Sequence, residues 1–207
     1  MSTAYDWDRA LAHLRRRDRA LKRIIAIVGP RKPTRLGSAQ TPFATLLRSI
    51  VYQQLSGKAA GSIHRRLLAL FPQGRPSARA LLALGEAELR AAGLSRSKVL
   101  SVRGLAQMAA ARQLPSRRAL DAMDDEAIIE RLTEIRGVGR WTVEMLLIFT
   151  LGRPDVLPVT DLGVRRGFMV CQGNGELPEP AELLAHGEIW RPWRSVASWY
   201  LWRASEL

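Results

Sequence analysis

One cysteine, Cys171, is all that the 207 residues contain. A single thiol rules out an intramolecular disulfide and any four-cysteine metal site, and it fits a reducing cytosol. Acidic residues are also few. The 19 Asp and Glu face 32 Lys and Arg, for a formal net charge of +13 and a pI near 11.3. That surplus favours a polyanionic partner, although a GC-rich genome that favours arginine would leave the same mark. No run of about eighteen apolar residues exists, so no membrane-spanning helix is expected. Met1 to Arg9 lacks an apolar core and carries Asp6 and Asp8, which argues against an export signal. The three histidines, His13, His64 and His186, are scattered without metal-ligand spacing and read as ordinary surface or core residues. Also missing are sustained period-2 alternation, hairpin turns between β-branched runs, internal repeats and low-complexity tracts.

What is present is helical almost throughout. Residues 6–28 carry Trp7, Leu11, Leu14, Leu21, Ile24, Ile25 and Val28 at spacings of three and four, and Gly29-Pro30 ends the run. A polar loop, Arg31 to Gln40, follows. Thr41-Pro42 opens a helix to Gln54, and Ser56 caps another that reaches Phe71. Short helices are expected near Ser77–Leu84 and Glu86–Ala92, then a longer one from Ser95 to about Gln113. Asp124 caps a helix over Asp125–Ile135. The last third shows helices at Leu162–Cys171, from Ala181, and after Pro192, where Trp193, Val196, Trp199, Tyr200 and Trp202 cluster. The fold class is all-α.

The most informative stretch runs from Leu132 to Arg166: LTEIRGVGRWTVEMLLIFTLGRPDVLPVTDLGVRR. Gly137-Val138-Gly139 sits between two helical patterns. Glycines allow φ > 0 or a close approach, and a helix start beside them offers N–H groups to an anion such as phosphate. The helix behind, with Val143, Met145, Leu146, Leu147, Ile148, Phe149 and Leu151, is apolar nearly all round and so is expected to be buried. A Pro-bracketed loop then leads to Asp161 at the start of a helix. By itself Asp161 reads equally as a helix N-cap.

L-x-x-I-x-G-V-G-x-W-T followed by P-x-x-D-L-x-V-R-R resembles the helix-hairpin-helix plus Gly/Pro-Asp superfamily of DNA glycosylases, and within it the 3-methyladenine DNA glycosylase II (alkyladenine) branch. The resemblance covers residues from about 43 to 203. It implies two helical lobes around a cleft: a central lobe at about 41–151, with the hairpin at 125–151, and a second lobe from about 1–40 plus 152–207. It implies double-stranded DNA with damaged bases as partner, a monomer, and a cytoplasmic location, nucleoid-associated in a bacterium. No iron–sulfur cluster is expected, because the four cysteines that some members use are missing. The separate N-terminal β-rich domain of some relatives is not expected either. No cofactor is called for beyond a monovalent cation held by hairpin carbonyls, with no metal held by side chains.

The resemblance also assigns roles. Asp161 becomes the catalytic carboxylate that opposes an oxocarbenium-like transition state. Gly137, Val138, Gly139 and Arg140 contact the DNA backbone. Trp141 stands where members with lyase activity have a nucleophilic lysine, which implies a monofunctional enzyme; the same indole also reads as core. Trp141, Met145, Leu162 and Trp202 map to the base pocket, with Met145 and Leu162 where a typical member has tyrosines. Gln54, flanked by Gln53 and Leu55, maps to the wedge that fills the gap left by a flipped base, or else these are solvent residues of a loop. Arg191, Arg194 and Arg203 accompany the terminal tryptophans, and P-W-R-S-x-A recurs in this branch. The implied function is hydrolytic removal of alkylated bases of the 3-methyladenine, 7-methylguanine or 1-methyladenine type in base excision repair, leaving an abasic site. The rivals are a glycosylase for other damaged or deaminated bases and a non-catalytic helix-hairpin-helix DNA-binding protein.

Overall fold

The computed structural model describes residues 6–30 and 40–207. The expected polar crossing at 31–40 therefore lies, except for Gln40, outside the described residues. In chain order the α-helices are α1 (Trp7–Arg17), α2 (Arg19–Val28), α3 (Pro42–Tyr52), α4 (Gly57–Ala69), α5 (Ala78–Ala83), α6 (Glu86–Ala91) and α7 (Arg96–Ala110). They continue with α8 (Arg117–Asp121), α9 (Asp125–Thr133), α10 (Arg140–Leu146), α11 (Leu162–Gln172), α12 (Pro180–Gly187) and α13 (Arg194–Ala204). No strand occurs among the described residues, and the class is all-α.

Local cap chemistry explains most of the starts. Thr41 Oγ1 accepts from the Ala44 N–H, with Pro42 at the first helical position. Ser56, Ser77 and Ser95 cap α4, α5 and α7 in the same way. Ser116 likewise caps the short α8, held also by an Arg117–Asp121 ion pair at 2.9 Å; the sequence reading had no helix there.

The single helix expected over 6–28 is broken at Asp18. Its backbone turns extended (φ −135°, ψ 111°), while its N–H still closes α1 on the Leu14 carbonyl. Its carboxylate accepts from the Leu21 N–H to open α2, and from Trp190 Nε1 at 2.8 Å. His186 Nε2 lies 2.9 Å from the same group. Asp18 is 5 % exposed, and a buried carboxylate is tolerated only with such partners. Burial works to raise its pKa, but the bonds to His186, Leu21 and Trp190 outweigh it and hold the carboxyl below its ordinary value. His186 is thus a hydrogen-bonded residue packed on Phe168 and Trp190.

The chain divides into two compact units, Met1–Ser38 with Leu147–Leu207, and Ala39–Leu146. In the first, Trp7, Leu14, Leu21, Ile25, Val164, Phe168, Trp190, Tyr200 and Leu201 form one buried cluster. Helix α11 lies so close to α13 that a Cβ on Gly167 would collide with the Leu201 carbonyl. In the second unit α3 packs on α4, α7 and α10, and α10 on α9; Leu46, Leu47, Ile50, Val102, Leu132, Val143 and Leu146 are buried there. The apolar rod expected to run as one helix to Leu151 instead changes at Leu147 to a π-helical turn over Leu147–Leu151. Such wider turns recur beside functional sites.

Candidate functional site

In the first unit the decisive group is the Asp161 carboxylate. Asp161 caps α11 in extended geometry (φ −70°, ψ 121°), and its Oδ1 accepts from the Val164 N–H at 2.8 Å. The same oxygen accepts from Trp202 Nε1, also at 2.8 Å. The indole ring stacks on Phe149, with centroids 5.5 Å apart. The bond that caps the helix and the bond from the indole thus fix the orientation of one and the same carboxylate. Gly163 makes room for it. A Cβ there would lie 2.9 Å from Trp202 Cδ1 and 3.1 Å from Asp161 Oδ1.

The rest of this unit holds the two sides of that contact in place. Arg194 Nε reaches Asp155 Oδ1 at 2.8 Å, and its Nη2 reaches the Asp155 carbonyl at 2.9 Å. Ser195 Oγ donates to the Arg153 carbonyl and accepts from the Val156 N–H. Loop 153–156, which leads to Asp161, is thereby clamped to the start of α13, which carries Trp202. The P-W-R-S motif therefore has a structural reason. Arg191 is bound to Asp155 and Glu188, and Arg203 lies over the Trp199 ring. The basic groups of this cluster are engaged within the unit.

In the second unit the hairpin turn joins α9 to α10. Gly137 has φ +79°, and a Cβ on it would collide with Ser101 Oγ. Glycine is required there by the protein itself. Gly139 differs: its φ is ordinary, and an added Cβ would meet nothing within 4 Å. The first bonds of α10 run from Thr142 and Val143 to the Gly139 carbonyl, so the Gly139 and Arg140 N–H groups precede them. Val138 is buried, and its N–H is bonded to the Ile135 carbonyl. Arg140 is paired with Glu126 and with buried Glu144. Its guanidinium is thus tied to carboxylates.

The residues mapped to the wedge lie at the α3–α4 junction. Gln54 and Leu55 are exposed, and Gln54 has φ +56°. Gln53 is different, for its side-chain amide donates to the Gly137 carbonyl at 2.8 Å and to Thr142 Oγ1 at 3.1 Å. Of the residues mapped to the base pocket, Leu162 is 48 % exposed beside Asp161. Trp202 and Asp161 are brought together. Trp141 and Met145, four apart on α10, are half-buried in the second unit.

A family model for base excision DNA repair proteins of this hairpin type matches residues 47–192. The chain belongs to the HhH-GPD superfamily. Its match spans the α3–α4 junction, the hairpin and Asp161. Over 200 residues the chain is 36% identical to DNA-3-methyladenine glycosylase 1 of Schizosaccharomyces pombe, covering 96% of this chain and 88% of that protein. The alkylbase DNA glycosidase-like protein mag2 of the same yeast is 30% identical over 209 residues, 100% of this chain and 98% of that protein. A solved structure of the S. pombe 3-methyladenine DNA glycosylase in complex with abasic DNA matches with TM-score 0.91 at 36% identity, over 96% of this chain and 97% of that one. A DNA-3-methyladenine glycosidase from Bacillus halodurans matches with TM-score 0.81 at 35% identity, over 99% and 91%.

Among the described residues of this HhH-GPD protein, no helix is long and apolar enough to cross a membrane, and no group of side chains could hold a metal ion. Sequence reasoning missed three contributors. The sequence pattern makes Phe149 one more core residue, does not single out Gly163 inside the D-L-x-V-R-R motif, and groups Gln53 with the wedge. A helix-internal glycine two residues after the acid was a usable signal for the second; the other two depend on distant partners.

Proposed function

We propose that this protein is a monofunctional DNA glycosylase of the 3-methyladenine type II class, acting on alkylated bases in duplex DNA and leaving an abasic site. The observation that carries the reading is the Asp161 carboxylate, held on one oxygen by the Val164 N–H and the Trp202 indole, in a chain of the HhH-GPD superfamily. A pure DNA grip has no need for a carboxylate fixed in this way.

As the N-glycosidic bond breaks, positive charge develops on the sugar. A fixed carboxylate near C1′ opposes it and orients the attacking water. Two hydrogen bonds to Oδ1 stop the carboxylate from swinging, so little reorganisation is needed when the charge appears. Alkylated purines leave as cations that become neutral on departure, and this assistance suffices for them. Lyase chemistry needs an amine that forms a Schiff base with C1′. Trp141 occupies the position of the lyase lysine, and an indole cannot do this. The chain has four lysines, and Lys98 is already bound to the Val51 and Gln53 carbonyls.

On the DNA side, the reading assigns the backbone contact to the hairpin around Gly139 and the gap-filling role to Gln54 and Leu55. Hairpin carbonyls would hold a monovalent cation. Those of Ile135 and Gly137 each accept one bond within the protein and keep a second lone pair, so an all-carbonyl site of this kind fits the turn. The ion would supply a positive charge facing a DNA phosphate.

The test is base release from duplexes that each carry one lesion: 3-methyladenine, 7-methylguanine, 1-methyladenine, hypoxanthine or uracil. Release of the alkylated bases, with no adduct trapped by borohydride, is expected. Release confined to uracil or hypoxanthine would move the protein to another branch, and a trapped adduct would overturn the monofunctional assignment.

A further inference from the structure

We propose that Gln53 is a positioning residue and not part of the wedge: it braces the Gln54–Leu55 loop against the DNA-gripping hairpin. This rests on the glycosylase reading above for its consequence in catalysis, but its geometry stands by itself. The Gln53 Nε2 donates to the Gly137 carbonyl at 2.8 Å and to Thr142 Oγ1 at 3.1 Å. Its own carbonyl accepts from Lys98 Nζ at 2.8 Å, and the same ammonium reaches the Val51 carbonyl. Gln53 is thereby held from both sides.

The next residue shows what the brace does. Gln54 takes a left-handed conformation (φ +56°) that a residue with a Cβ disfavours. Such a conformation persists only where neighbours over-determine it, and here the neighbours are Gln53 and the return bond from the Leu55 N–H to the Tyr52 carbonyl. Gln54 and Leu55 project into solvent just beyond the pinned residue.

Helix α7 is the common platform. Lys98 holds the end of α3, and one turn later Ser101 lies against Gly137 so closely that no Cβ fits between them. Lys98 is partly desolvated, which lowers its pKa, yet its two carbonyl partners lie at a helix C-terminus, where a cation is favoured. The hairpin that grips backbone and the loop that enters the helix are therefore set in register by Gln53, with Lys98 and Ser101 behind it. Gripping DNA at the hairpin then fixes where Gln54 is aimed.

The experiment is a mutant cycle. Gln53→Ala, Gln54→Ala and the double variant are compared by single-turnover base release from a duplex containing 7-methylguanine. Flipping is followed in parallel with 2-aminopurine next to the lesion. Gln53→Ala should slow both by about tenfold, the scale of losing these hydrogen bonds. In the Gln54→Ala background it should add almost nothing, because a residue that works through Gln54 has nothing left to position. Independent losses that multiply, or native behaviour of Gln53→Ala, would overturn the proposal.

Thr142→Val removes one of the two acceptors at constant shape. It should show the same dependence on Gln54, which guards against a Gln53→Ala that folds poorly. Hydrogen exchange of the free protein reads the brace without any chemistry. Gln53→Ala should speed exchange at 53–56 and at 137–139 together, and a change at neither or only one would refute the link. If the native protein releases no base but the two segments loosen together, the glycosylase reading fails and the brace stands.

Discussion

Asp161→Asn separates the charge of the carboxylate from its structural work. Asn keeps an oxygen where Oδ1 lies, so the Val164 N–H and the Trp202 indole, both at 2.8 Å, keep an acceptor. Asn and Asp are nearly equal as N-caps. The melting temperature should therefore move little, although bonds to a neutral acceptor are weaker than those to a charged one. Catalysis should behave differently. A unit charge about 4 Å from the developing sugar cation, at an effective dielectric near 20, is worth roughly 4 kcal/mol, which corresponds to about a thousandfold in rate. Single-turnover base release should thus fall by two to three orders of magnitude, more for a neutral leaving base than for cationic 3-methyladenine. DNA affinity should hold or rise, since one negative charge is gone. Asp161→Ala serves as the control, because it also removes the acceptor and should lose roughly 1–3 kcal/mol of stability. Native-like release by Asp161→Asn on both lesion types would make Asp161 a cap and nothing more.

The two hairpin glycines should part company. Gly137→Ala should lower the melting temperature, because its Cβ meets Ser101 in a left-handed turn, whereas Gly139→Val should melt near the native temperature yet bind duplex DNA more weakly. Affinity for duplex DNA should fall steeply between about 50 and 200 mM salt as phosphate contacts release counterions; a flat dependence would contradict the backbone contact. The lowered Asp18 pKa gives a signed pH effect. Its stabilisation is fully present above the unfolded value of about 3.9 and is lost as pH falls through the lower folded value. Asp18→Asn should therefore be less stable at neutral pH and show a shallower acid limb in urea midpoints below about pH 4.

Those contrasts mirror what the sequence made legible. Helix starts at Thr41, Ser56, Ser95 and Asp161 were readable because a cap and its acceptor-to-N–H bond lie within three residues. The hairpin and the distance from Gly139 to Asp161 were readable as a motif. The break at Asp18 was not, since His186 and Trp190 stand 168 and 172 residues away, and the local 3–4 spacing runs straight through it. The same limit hid the role of Gln53, whose partners are 84 and 89 residues off, and the stacking of Phe149 on Trp202. The pairing of Arg140 with Glu126, fourteen residues earlier, was likewise not readable from the hairpin motif.

The most direct measurement takes methylated duplex DNA, incubates it with the native protein, and analyses the released bases by mass spectrometry and the strands by denaturing gel before and after alkali. A monofunctional glycosylase that relies on Asp161 gives free 3-methyladenine in the supernatant, strands that stay intact until alkali is added, and almost no release by Asp161→Asn in the same time. No free base at any protein concentration, or breaks that appear without alkali, would contradict that reading.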